Sequence, residues 1–370
     1  MSGAAPLRWV VAGGGTGGHV TPALAVAERA RARGDRVLVL GGTRGLEGRL
    51  VPEAGFELIA LPAPPLARSG IAARLRALPA LVSACAAAWR VLGRRGADVV
   101  VSVGGYASVP AVVAAALRRI PIALVEPNAI PGRANRLAGR FARRIFAQFE
   151  EARSGFPGQA RERVEVCGTP LRAALVARFG EAPAARAPAP PLHLLIFGGS
   201  QGARQLNDAL CELAPRLDPL AFEIFHQCGS ADAEAVAQAY RKAGLRAEVV
   251  AFEPDMPRRY AWAHLALCRS GALTVAELAL AGLPALLVPF PHAADDHQTA
   301  NARALERAGA ARVLSARPLD AELLLRELQA LAREPARLAA MSRAAAALAR
   351  PGAAERVVAA CAALAEGSRS

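Results

Sequence analysis

Short apolar runs recur along the chain and are separated by stretches of helical spacing. In the first half, residues 7–12, 36–40, 58–61, 98–103 and 122–125 read as strands. In the second half, residues 192–197, 222–227, 247–252, 265–268 and 285–288 read the same way. Between them, residues 21–33, 110–117, 205–217 and 272–281 carry the composition of helices. Apolar runs alternating with helical stretches predict an α/β fold, a parallel sheet covered by helices on both faces. Residues 99–117 carry no charge and match a membrane span in length. Gly104, Gly105 and Pro110 interrupt them, so strand, turn and helix is the better reading.

The pattern runs twice. LRWVVAGGGTGGHVTPALAVAERA opens one half and LHLLIFGGSQGARQLNDALCELA opens the other. Between them, residues 182–191 (APAARAPAPP) have the composition of an exposed, semi-stiff spacer. The expectation is two doubly wound Rossmann-like domains with a cleft between them. They span residues 1–170 and 192–345, with 171–191 as linker. A helical tail, 346–370, is expected to pack back on the first domain.

Composition narrows the class. The 370 residues are 53% hydrophobic, which excludes a disordered chain. The net charge is +14, carried almost wholly by arginine, since Lys242 is the one lysine. Such a chain suits nucleic acid, an acidic membrane or phosphorylated substrates. No nucleic-acid recognition motif accompanies the charge, so no such partner is expected. Six scattered cysteines without a CxxC pair argue for reduced thiols and against a zinc site. The start of the chain shows no secretory signal pattern, and no transmembrane helix is expected.

Three glycine turns follow predicted strands: Gly13–Gly18, Gly104–Gly105 and Gly198–Gly202. Glycines allow tight turns and close approach to phosphates. A dinucleotide site wants an acid at the end of the second strand, but Gly41-Gly42 and His226-Gln227 stand there. The first turn also lacks the Lys-Ser/Thr of a P-loop. His19 follows that turn near a helix N-terminus, either as general base or as a capping or substrate-positioning group. Glu126 is a second candidate base, with Asn128 beside it.

Residues 269–301 form a βαβ unit ending in a polar loop with His292, Asp295, Asp296, His297 and Gln298. Its helix N-terminus suits an anion, and Glu277 and Gln298 suit sugar hydroxyls. The two aspartates read as solvated loop acids, and no metal or other cofactor is expected. Residues 69–95 place Ile71, Leu75, Leu78, Val82, Ala86, Trp89 and Leu92 at helical spacing. Arg68, Arg74, Arg76, Arg90, Arg94 and Arg95 flank them. This is either a core-facing stripe or a helix that dips into an anionic bilayer.

With GGGTGGHVTPALA, SVGGYASVPAVVAA, EPNAIPGRANR, VCGTPLR, FGGSQGARQLN, RSGALTVAELALAGLPALLVPFP and DDHQTANA in place, the chain resembles the MurG family of bacterial N-acetylglucosaminyltransferases, in glycosyltransferase family 28. The resemblance implies a GT-B fold. It also implies inverting hexosyl transfer from UDP-N-acetylglucosamine to undecaprenyl-pyrophosphoryl-MurNAc-pentapeptide, a step of peptidoglycan synthesis. Another GT-B transferase with a different sugar nucleotide or acceptor is the alternative. By the same resemblance, Thr16, Gly17, Gly18, Asn128 and Arg172 approach the donor. Ser200 and Gln201 lie against its diphosphate. Ala272, Leu273, Thr274, Val275 and Ala276 form the phosphate-facing helix start. Glu277 takes the ribose, the Glu253 backbone the uracil, and His297 and Gln298 the sugar. Gly104, Gly105 and Tyr106 face the acceptor pyrophosphate. A peripheral place on the cytoplasmic face of the inner membrane is implied, docked through residues 68–95. Partners among cell-wall and division proteins are implied as well.

Overall fold

Period-2 alternation in the first strand shows how this fold is built. Trp9 and Val11 enter one buried cluster and Val10 and Ala12 another, because successive side chains leave opposite faces of a strand. Both clusters are apolar, so the strand is buried on both sides, as a parallel sheet requires. The computed structural model describes residues 5–43, 45–62, 71–180, 190–199, 202–291, 293–314 and 318–369. Ser200, Gln201, His292, Arg68 and most of the expected Pro/Ala spacer lie outside the described residues.

Two compact units result, Met1–Ala174 with Arg350–Ser370, and Leu175–Ala349. The first unit runs β1 (Arg8–Gly13), α1 (Gly17–Ala32), β2 (Arg36–Gly42), α2 (Glu47–Glu53), β3 (Glu57–Leu61), α3 (Ile71–Arg95), β4 (Val99–Gly104), α4 (Val109–Leu117), β5 (Ile122–Glu126), α5 (Arg133–Ala138), β6 (Arg144–Ala147) and β7 (Val164–Val166). Helix α6 (Ala173–Phe179) crosses the boundary between the units. The second unit runs β8 (Leu192–Phe197), α7 (Arg204–Leu213), β9 (Phe222–Gln227), α8 (Ala233–Lys242), β10 (Arg246–Val250), α9 (Met256–Trp262), β11 (Leu265–Cys268), α10 (Ala272–Leu280), β12 (Ala285–Leu287), α11 (His297–Arg307), β13 (Ala311–Val313), α12 (Ala321–Arg333) and α13 (Pro335–Ala347). The closing helix α14 (Ala353–Arg369) belongs to the first unit. There Val357, Val358 and Cys361 join the cluster of Trp9, Val11 and the α1 side chains.

Both sheets are parallel throughout. Their orders are β3-β2-β1-β4-β5-β6-β7 and β10-β9-β8-β11-β12-β13. Each begins third-second-first-fourth, so each reverses direction between its first and fourth strands. Ligands of open α/β sheets bind at that point, beyond the carboxyl ends of the strands. In the first unit Gly13 lies opposite Gly104 there. In the second, the ends of β8 and β11 lead into Gly198 and Arg269-Ser270-Gly271.

Three strands were absent from the sequence pattern: β6, β7 and β13. All are short edge or near-edge elements beside arginines, too brief for periodicity to register. Helix α1 also starts earlier than residue 21, at Gly17, with Thr16 as its N-cap and Pro22 inside it. The missing Pro22 N–H costs a single bond near the helix start, and with the helix beginning at Gly17 His19 sits within the first turn.

Candidate functional site

The first unit gathers its candidates at the ends of β1, β2 and β4. Thr16 Oγ1 lies 3.2 Å from His19 Nδ1. When Nδ1–H donates to that hydroxyl, Nε2 is left as the basic nitrogen. Gly105 faces the same spot. A Cβ there would lie 2.6 Å from the Gly14 carbonyl and 3.6 Å from His19 Nδ1, and Gly105 holds φ = 80°. Only glycine suits both demands. Tyr106 lies against Gly15 and Gly42. Thr16, His19, Gly104, Gly105 and Tyr106 are thus brought together by β1–β4 pairing.

Glu126 is committed differently. Its Oε1 accepts from Asn128 N–H at 2.9 Å and Asn128 Nδ2 at 3.2 Å. Its Oε2 accepts from Gly132 N–H at 3.0 Å and Asn135 Nδ2 at 2.9 Å. Burial pushes its carboxyl above the ordinary value, while these four donors pull the other way. With both oxygens occupied, the carboxylate shapes the loop after β5, and the structure offers it no free lone pair aimed at a proton. Arg172 is also engaged: its Nε donates to Glu28 on α1 at 3.0 Å.

In the second unit, α10 follows β11 with Gly271 as N-cap and no side-chain cap bond. Val275 N–H already donates to the Gly271 carbonyl at 3.0 Å, and the Val275 and Ala276 side chains are buried. The helix start therefore offers an anion the N–H groups of Ala272, Leu273 and Thr274. Further along α10, Glu277 Oε2 accepts from the Tyr260 hydroxyl at 2.7 Å. Burial pushes the Glu277 carboxyl up to about 7 and the Tyr260 hydroxyl well above its usual range. Ser270 Oγ donates to the Gln298 carbonyl at 2.8 Å, and Gln298 Oε1 accepts from Phe290 N–H at 2.9 Å. The side-chain NH₂ of Gln298 is thereby oriented by its own oxygen. Glu253 spends its side chain on Arg259 Nε at 2.6 Å and Asp255 N–H at 2.8 Å. Its main chain is what remains for a ligand.

Several polar residues near these turns escaped the sequence reading. Glu47 is fully buried and accepts from Gly15 N–H and Gly42 N–H, each at 2.9 Å. Arg269 donates to Gln205 Oε1 at 3.2 Å and to the carbonyls of Val288 and Pro289 at 3.1 and 3.2 Å. No carboxylate among the described residues pairs with it, and burial pulls its guanidinium below the ordinary value. His226 bonds Tyr240 OH at 2.9 Å and Asn207 Oδ1 at 3.1 Å, and burial lowers it to about 3. It is therefore neutral, and through Asn207 Nδ2 it braces the Cys228 carbonyl, which Gly202 approaches too closely to carry a Cβ. Apart from Glu47 with Gly42, these pairings join residues distant in sequence. Among the described residues, no group of three His, Cys, Asp or Glu side chains is placed to hold a metal ion.

Two Rossmann-like domains, the second with an anion-ready helix start, a carboxylate inside that helix and a sugar-type amide nearby, define a protein of the GT-B class. The chain belongs to glycosyltransferase family 28: residues 9–147 match its N-terminal domain and residues 193–357 its C-terminal domain. A Geobacter metallireducens relative named UDP-N-acetylglucosamine–N-acetylmuramyl-(pentapeptide) pyrophosphoryl-undecaprenol N-acetylglucosamine transferase is 40% identical over 356 residues, covering 95% of this chain and 97% of that one. A relative of the same name from an Anaeromyxobacter species is 43% identical, covering 97% and 93%. The crystal structure of Acinetobacter baumannii MurG superposes with a TM-score of 0.79 at 33% identity, covering 96% of this chain and 99% of that one.

Proposed function

We propose that this chain is an inverting hexosyltransferase. It moves N-acetylglucosamine from UDP-N-acetylglucosamine to the 4-hydroxyl of MurNAc in undecaprenyl-pyrophosphoryl-MurNAc-pentapeptide. The observation that carries this reading is near-full-length likeness to relatives named for that transfer. The local chemistry supports it. His19 Nε2 takes the proton of the acceptor hydroxyl as its oxygen attacks the anomeric carbon from the face opposite UDP, so configuration inverts. The N–H groups of Ala272, Leu273 and Thr274, together with Arg269, take up charge on the departing diphosphate. The ribose hydroxyls donate to Glu277, the Glu253 main chain meets uracil, and Gln298 with His297 holds the sugar. Ser200, Gln201, Thr16, Gly17 and Gly18 complete the donor contacts. Gly104, Gly105 and Tyr106 serve the acceptor pyrophosphate. Arg172 must leave Glu28 to join a phosphate, and Glu126 with Asn128 shapes the loop after β5.

The lipid acceptor calls for a membrane-facing surface, and α3 supports one. Ala84, Ala88 and Leu92 are buried, whereas Leu78, Val82 and Trp89 are 48%, 65% and 46% exposed. The stripe expected as one face is thus two. Arg118 stacks on Trp89 at 3.9 Å, and a cavity of about 360 Å³ beside it is lined by Arg90, Gly93 and Arg94. Among the described residues no helix is long and apolar enough to cross a membrane. We therefore assign peripheral docking on an anionic leaflet to this surface.

Turnover of a soluble lipid-linked acceptor with UDP-N-acetylglucosamine, run beside UDP-galactose, tests the main reading. Equal rates with both donors overturn it. Co-sedimentation with vesicles containing phosphatidylglycerol tests docking. A chain carrying Leu78→Ser, Val82→Ser and Trp89→Ser is expected to lose most binding while keeping its UDP affinity.

A further inference from the structure

We propose that Glu47 is a positioning residue for the transfer reaction: its buried carboxylate locks the first glycine turn to the end of β2, and so holds the Thr16–His19 pair in reactive geometry. The inference rests on the transferase reading. Glu47 is the first residue of α2 and is 0% exposed. Its two oxygens each accept one backbone N–H, from Gly15 and from Gly42. No cation among the described residues pairs with it. A buried carboxylate that lacks such a partner is costly, and an apolar residue would fill the space more cheaply. The site instead is cut to fit the carboxylate. A Cβ on Gly14 would lie 2.5 Å from Glu47 Oε1, one on Gly45 2.0 Å from Oε2, and one on Gly41 2.8 Å from Cγ.

The link to the base runs through one peptide. Fixing Gly15 N–H sets the backbone at Thr16, the N-cap of α1, whose hydroxyl meets His19 Nδ1. Gly15 and Gly42 also form the seat of Tyr106. One carboxylate therefore ties together the turns after β1, β2 and β4. It also places a negative charge beneath Gly14 and Gly15 and occupies the Gly15 N–H. That part of the turn is consequently closed to phosphate and serves to aim the base.

Glu47→Gln tests this. The amide keeps the volume but turns an NH₂ toward one of the two glycine N–H groups, so one bond is lost. Expected are a fall in kcat of about 10- to 100-fold with KM for UDP-N-acetylglucosamine within about twofold. UDP binding and the melting temperature stay near those of the parent. Glu47→Asp, which keeps the charge but loses reach, falls between. The double variant H19A/E47Q is expected to turn over no more slowly than H19A alone, since a residue acting through His19 has nothing left to aim. Multiplying losses overturn the proposal, as does a parent-like kcat in E47Q, or a fall in kcat matched by the unfolded fraction. A separate arm needs no turnover. Nitrogen-15 shifts of the His19 ring are expected to report an Nδ1–H tautomer in the parent and a mixture in E47Q. Identical ring spectra overturn the positioning role even if the chain proves to use another sugar or acceptor.

Discussion

The turn after β1 and the turn after β11 are built on the same plan and carry opposite charge. In the first unit a glycine turn leads into α1, and a buried carboxylate, Glu47, already holds Gly15 N–H. In the second, Gly271 leads into α10, and the nearby charge is a half-buried guanidinium, Arg269, bonded to a side-chain amide and to main-chain carbonyls. A helix start suits an anion in either place, but the added charge opposes one in the first unit and assists it in the second. On the function proposed above, the same strand–turn–helix element aims a base in one domain and receives a diphosphate in the other. Glycine content alone does not distinguish the two turns, whereas the sign of the nearby charge does.

The largest expected effect breaks the first half of that comparison. His19→Ala should cut kcat by about a hundredfold or more while leaving UDP affinity unchanged by calorimetry. A loss confined to KM would make His19 a substrate-positioning residue. Glu277→Ala should weaken UDP binding by about 10- to 100-fold, the worth of hydrogen bonds to a charged group, with the acceptor KM unchanged. Parent-like UDP affinity would remove its ribose role. Arg269→Gln should weaken UDP about tenfold and leave uridine binding alone, because only the former brings charge. An equal loss for both ligands would assign Arg269 to scaffolding.

The smallest effect is a pH dependence with two signs. The Glu277 carboxyl is pushed from 4.5 up to about 7. Between those values the folded state binds more protons than the unfolded one, so stability falls as pH rises through the window. Glu277→Gln escapes this penalty, and its melting temperature relative to the parent should gain a few degrees, about 2–4 °C, between pH 5 and pH 8. UDP affinity of the parent should move the other way and improve as the carboxylate ionises through about 7. Parallel melting curves for the two proteins across that range would show that burial does not hold the proton there.

Much of the fold was legible because buried parallel strands are continuous apolar runs. The largely apolar segments at 98–103 and 192–197 correspond to strands beside the reversal points of the two sheets. β7 and β13 were not legible: they span Val164–Val166 and Ala311–Val313, and at that length neighbouring strands, not local pattern, make the element. The stripe on α3 failed for a related reason. Spacing shows that apolar residues share helical faces but not which face meets the sheet, and Leu92 turned inward while Trp89 stayed outside. In the candidate site, residues next to glycine turns were findable because the turns themselves are marked. Glu47 was not, since nothing in GGTRGLEGRL distinguishes it from a solvated helix-start acid.

What the sequence by itself determined about this protein is its class: two doubly wound domains, glycine turns at strand ends and segments specific enough to imply the family. These depend on local period and local composition, which a chain carries wherever it goes. Tertiary structure decided the electrostatics of each turn. Only pairing of β1 with β2 and β4 brings Glu47, Gly15, Gly42 and Tyr106 together, and only the packing of α9 against α10 puts Tyr260 on Glu277. Charge acts through space and is strengthened by burial, so its effect at a site is settled by neighbours distant along the chain.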